Sequence, residues 1–97
     1  MSNKMPVIHL WSPESFHSEG YVVGNYEGLI KLRSAIDRAI TAGAGKEKAF
    51  VGDGEGFDLY VFRIDDNLVG LTAVPYRDDV ASEKRERTVF PWDMVAR

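Results

Sequence analysis

Ninety-seven residues leave room for one domain (residues 1–97) and one core, with a stability on the order of 5–10 kcal/mol. Hydrophobic residues make up 44% and charged residues 28%, which is globular usage and excludes a disordered or fibrous chain. The formal charge of −3, from 15 acids against 12 bases, argues against a nucleic-acid partner, which needs a basic face to neutralise phosphates.

The one basic run, Glu83-Lys84-Arg85-Glu86-Arg87, is diluted by its own glutamates. Cysteine is absent, so disulfides and thiolate metal sites are excluded. The stretch Met1 to Pro6 lacks an apolar signal core, and no segment approaches ~18 apolar residues. The expectation is a cytoplasmic protein with no membrane partner and no cofactor.

In chain order, Val7 to Trp11 reads as a first strand, rich in β-branched and aromatic side chains. Ser12 and Pro13 suit the cap and first position of a single helical turn. Tyr21-Val22-Val23, between Gly20 and Gly24, is a short extended piece. A principal helix follows over about residues 26–42. Asn25 is its N-cap, Leu29, Leu32, Ile36, Ala39 and Ile40 recur at helical spacing as its buried face with Tyr26 on the same side, and Gly43 is placed to end it.

After Gly45 the period changes. Lys48 to Val51, Phe57 to Ile64 and Leu68 to Val74 read as three consecutive strands, the last two joined by a turn at Asp65-Asp66-Asn67. Short connections imply antiparallel neighbours, so the expected fold is α+β: one helix on an antiparallel sheet of three to five strands with a C-terminal meander. Phe57, Leu59 and Val61 alternate with Tyr60, Phe62 and Ile64, so this strand is expected at the sheet centre, apolar on both faces. Tyr76 to Thr88 reads as an exposed connection. Val89 to Val95 is apolar, but Pro91 favours a short helical turn or an edge segment over a central strand, with Phe90 and Trp92 at least partly buried.

Gly52-Asp53-Gly54-Glu55-Gly56 is the stretch that most invites a functional reading. A phosphate cradle needs amides at a helix N-terminus, whereas two acids interrupt these glycines and a strand follows. A calcium site needs about 6–8 oxygen ligands, and Asp53, Glu55 and Asp58 supply too few at the wrong spacing. The remaining reading is a hairpin loop that carries a cluster of carboxylates at an exposed tip. His9 alternates with Val7 and Trp11 and reads as a hydrogen-bonded structural histidine. His17 with Glu14 and Glu19 reads as polar loop rather than a metal site. No triad can be assembled, so the expectation is a protein that is not an enzyme.

Val23-Gly-Asn-Tyr-Glu-Gly-Leu-Ile-Lys-Leu-Arg-Ser-Ala-Ile-Asp-Arg-Ala-Ile40, followed by Phe50-Val-Gly-Asp-Gly-Glu-Gly-Phe-Asp58, resembles small bacterial immunity proteins encoded beside polymorphic toxins of the Rhs, contact-dependent inhibition and type VI secretion kinds. The two stretches cover about a third of the chain. Immunity proteins span many folds, so no functional residue is carried over. The resemblance implies a cytoplasmic, non-enzymatic protein that binds one cognate toxin domain. The acidic loop supplies the partner-binding residues on this reading: Asp53, Glu55 and Asp58, with Tyr60 as an aromatic anchor. The alternatives are a ligand-binding domain with a pocket near His9 or the loop, and an adaptor that self-associates through a sheet edge or the Phe90–Trp92 tail.

Overall fold

The structure is a computed structural model that describes residues 5–15, 17–72 and 89–95. The chain falls into two compact units, one formed by Met1–Leu10 with Val22–Arg63 and the other by Trp11–Tyr21 with Ile64–Arg97. Strands β1 (Ile8–Trp11) and β2 (Tyr21–Gly24) pair with each other, and β3 (Ala44–Phe50) pairs with β4 (Gly56–Phe62). Helix α1 (Tyr26–Ala42) lies between the two antiparallel hairpins in sequence. The protein is therefore α+β, but among the described residues each sheet has two strands, fewer than the three to five expected.

In the first unit, α1 packs mainly on β3, and β1 joins them through a parallel bridge from Val7 to Phe50. Ile8, Ala49 and Leu59 form the core, with Leu32 and Phe57 against it. Small residues set the closeness of the helix. Gly28, Ala35 and Ala39 are its buried positions, and Gly45 of β3 lies so near that a Cβ there would meet the Ala35 carbonyl, 2.8 Å from its carbon.

That packing corrects part of the expected buried face: Ala39 is buried and Leu32 packs against the core, but the larger residues beside them do not follow. Leu29, Ile36 and Ile40 are 44%, 39% and 58% exposed, and Tyr26 is 75% exposed. Ionic contacts on the opposite side of the buried face account for the rotation. Glu47 points from β3 toward the helix, where Arg38 binds it at 2.6 Å and Lys31 at 3.4 Å. Arg38 also bonds the Lys46 carbonyl at 2.7 Å and the Ser34 hydroxyl at 2.6 Å. Lys31, Ser34 and Arg38 are thus drawn toward β3, and the large aliphatic side chains on the far side turn outward.

The helix ends follow the sequence. The Asn25 Oδ1 accepts from the Gly28 amide at 2.8 Å. At the other end Gly43 is left-handed (φ 98°) and its amide reaches the Ala39 carbonyl. Arg63 donates from its guanidinium to the Ile40 carbonyl and from its amide to the Gly43 carbonyl, placing a cation where the helix dipole favours one.

Two strand expectations change. The β3–β4 register runs from Ala44 opposite Phe62 to Phe50 opposite Gly56, so β3 starts four residues before the predicted Lys48. β4 has a strand neighbour on one side alone among the described residues, so it is an edge strand and not the sheet centre. Its second face is served locally: the Tyr60 and Phe62 rings stack at 5.8 Å, and the Lys46 ammonium lies 5.5 Å from the Tyr60 centroid.

In the second unit the predicted strand from Leu68 is replaced by a 3-10 helix, Asp66–Leu71. Leu68 and Leu71, three apart, share one face of such a helix and are half-buried, while Val69 is exposed. Asp65-Asp66-Asn67 therefore opens a helical turn and not a hairpin. Residues 73–88, which hold the rest of that predicted strand and all of the predicted connection, lie outside the described residues. Pro91–Met94 is the short helical turn expected. Phe90 is half-buried and stacks on Trp92 at 4.9 Å, but Trp92 is exposed, against expectation. Ser12 to Glu19 forms bends and a turn, with Ser18 Oγ bonding the Ser15 carbonyl at 2.8 Å, and no helical turn among its described residues.

Candidate functional site

The glycine-acid stretch is the loop of the β3–β4 hairpin. The ladder ends at Phe50 opposite Gly56; beyond it the Val51 amide bonds the Glu55 carbonyl and the Gly54 amide bonds the Val51 carbonyl, both at 2.9 Å. Gly54 has φ 96°, a conformation that favours glycine. Asp53 folds back so that its Oδ1 accepts from the Glu55 amide at 3.0 Å, an Asx turn.

A third fastening comes from β1. The Gly52 amide donates to the Nε2 of His9 at 2.9 Å, which requires that nitrogen to be an unprotonated acceptor. His9 is therefore a hydrogen-bonded structural residue, as its place on the strand face suggested, and what it holds is the loop. Together these contacts present the Asp53 and Glu55 carboxylates in solvent on a tied backbone.

Asp58 and Tyr60 sit elsewhere. Side chains alternate along β4, so both lie on the sheet face that also carries Lys46 and Lys48. Asp58 is flanked by Lys48 at 3.8 Å and Lys46 at 3.9 Å. The four residues assigned to one acidic patch are thus two groups: an anionic loop tip, and a sheet face where two lysines outnumber one aspartate. At the base of the loop, Ile8, Leu10, Val51, Gly56 and Phe57 line an open apolar hollow of about 290 Å³, with Glu55 at its rim.

Some contacts were not anticipated from the sequence. The Asn25 side chain accepts from the Val7 amide at 2.9 Å and donates to the Met5 carbonyl at 2.8 Å, besides capping α1. Glu47 is held below the usual carboxylate range, first by the Arg38 hydrogen bond and then by Lys31, against the opposing effect of its burial. The alternation Lys46-Glu47-Lys48 carried a readable signal, because a strand sends its middle residue to the opposite face.

Among the described residues no group of three metal-ligating side chains gathers, and Glu14, His17 and Glu19 bring no metal site together. Among the described residues no helix is long and apolar enough to cross a membrane. Comparison with protein-family models, curated proteins and solved structures finds no match to this chain.

Proposed function

We propose that this chain is an immunity protein that binds and neutralises a cognate bacterial toxin domain in the cytoplasm, without catalysing a reaction, and that the hairpin loop is the centre of its interface. The observation that carries the reading is the tied loop: two exposed carboxylates, Asp53 and Glu55, stand on a backbone fixed by His9 and by its own turn. A loop already ordered loses little conformational freedom on binding. Two neighbouring carboxylates complement a positive cleft, and opposite potentials speed encounter. The apolar hollow at the loop base offers a place for a partner side chain. Asp58 and Tyr60 contribute less on this reading, because their face is shared with Lys46 and Lys48.

The test is a binding measurement with the toxin domain encoded beside this gene, at two salt concentrations. Asp53→Asn retains the acceptor that closes the Asx turn, so pairing it with Glu55→Lys changes charge while keeping the loop shape. The variant should associate roughly tenfold more slowly at low salt, lose most of its salt sensitivity, and melt within about 0.5 kcal/mol of the parent. A variant that binds and protects as well as the parent at both salt concentrations refutes the acidic-loop mechanism.

A further inference from the structure

One side of α1 is only partly covered by the described residues: Ile36 stays 39% and Ile40 58% exposed, and Leu29 stays 44% exposed although it approaches Gly24. At ~100° per residue, Leu29, Ile36 and Ile40 fall on one line, next to the buried face and not part of it, with Tyr26 at its outer margin. Arg33 and Asp37 lie along that same margin, one turn apart. Among the described residues neither side chain makes an ion pair, whereas Lys31 and Arg38 are both engaged by Glu47. The stripe therefore carries three aliphatic side chains and one unpaired charge of each sign on a single flank.

That arrangement is complementary to itself. A two-fold interface brings the same patch of each copy together. When two helices meet antiparallel across such an axis, a given flank of one faces the same flank of the other. An axis passing level with Ala35 puts Arg33 of each copy opposite Asp37 of the other, twice. The same axis brings Leu29 level with the Ile40–Thr41 turn of the second helix and sets the two Ile36 side chains near the centre. A foreign partner would need a cation and an anion placed in the reverse order; a second copy supplies them by symmetry. We infer that a second copy of this chain docks on the Leu29–Ile36–Ile40 stripe of α1, antiparallel, in a symmetric dimer fastened by reciprocal Arg33–Asp37 pairs.

The dimer uses a face of α1 and not the hairpin loop, so it is independent of the toxin-binding reading. The experiment is sedimentation of the full chain from roughly 1 μM to 1 mM, with Arg33→Asp, Asp37→Arg and the double exchange. Both positions of change are exposed, and circular dichroism checks that each variant retains its helix. The parent should dimerise, each single exchange should raise the dissociation constant at least about tenfold by placing like charges together, and the double exchange should return it to within about threefold of the parent. Ile36→Lys should also leave a folded monomer. A parent that stays monomeric throughout overturns the proposal. So does a dimer indifferent to the single exchanges, or one that the double exchange fails to restore, since a charge swap can rescue binding only when both partners carry it.

Discussion

Gly28 is the position where two opposing effects can be weighed most sharply. In an exposed helix an alanine in place of glycine stabilises by about 1 kcal/mol. Here a Cβ would meet the backbone of Val7, 2.6 Å from its carbonyl carbon and 2.9 Å from its nitrogen. Backbone cannot swing aside as a long side chain does, so the Met5–Ile8 segment would have to lift. That segment is held by the Val7 amide donating to the Asn25 Oδ1 at 2.9 Å, by the Asn25 backbone amide donating to the Val7 carbonyl at 3.2 Å and by the Phe50 amide donating to the Pro6 carbonyl at 2.9 Å. Weakening two of these costs about 2 kcal/mol, and partly uncovering Ile8, fully buried now, costs about 1–2 more. Net of the helix gain, Gly28→Ala should destabilise by about 2–3 kcal/mol, a fall in Tm of roughly 10–20 °C for a domain of this size. Urea unfolding and thermal melting measure it. Gly70→Ala, in an exposed helical turn where an added Cβ meets nothing within 4 Å, is the control and should leave stability unchanged or raise it by up to about 1 kcal/mol. If Gly28→Ala melts at or above the parent, helix propensity has won and the close approach of β1 to α1 is refuted.

Asn25→Ala removes a cap and two ties to the Met5–Val7 segment and should cost about 2–3 kcal/mol in urea unfolding; Asn25→Asp keeps the two accepting bonds, faces the Met5 carbonyl with oxygen, and should fall between Ala and the parent. Glu47 has its folded pKa lowered, so its contribution is present above the usual carboxylate value of 4.5 and is lost as pH falls through that range and below. Glu47→Gln should therefore cost roughly 0.5–1 kcal/mol near neutral pH, a modest figure because Lys31 and Arg38 are almost half exposed, and nothing in acid; a loss that persists undiminished in acid refutes the ionic origin. His9→Phe should leave the hairpin folded but bring the hydrogen-exchange protection of the Gly52 amide close to that of a free loop. Unchanged protection at Gly52 would remove His9 as the fastening of the loop.

How much of this the sequence announced depends on which forces were local. The helix ends were legible because Asn25 and Gly43 act within one turn of themselves. The buried side of α1 was legible only in part: Leu32 and Ala39 lie on the predicted face, whereas Gly28 and Ala35 are small and periodicity marks where large apolar residues lie. What chose between the two stripes was Glu47 on β3, a contact between distant parts of the chain. The strand predicted from Leu68 failed for a different reason: Leu68 and Leu71 fit a three-residue period as well as a pleat, and a run that short does not decide between them. At the candidate site the turn chemistry of the glycine-acid loop was readable in its own residues. Its fastening to His9, 43 positions earlier than Gly52, was not. Nor was the division of Asp58 and Tyr60 from Asp53 and Glu55, which follows from where the β3–β4 ladder stops.

The first strand is also the most distant in sequence of the elements it joins. α1, β3 and β4 are consecutive and form local contacts, whereas Val7 must find Asn25 and Phe50 across long stretches of chain. Long-range closure comes late in folding, and β1 carries the fully buried Ile8, so release of β1 opens the core. Because His9 rides on it, release of β1 also releases the loop. Docking of the strand and order in the loop are then one equilibrium, and any molecule that grips the loop in its tied shape must strengthen the hold on β1 by the same factor. Slowed exchange of the Val7 amide, which bonds Asn25 and not the loop, when a partner is added would report engagement of the loop without a probe on the loop itself.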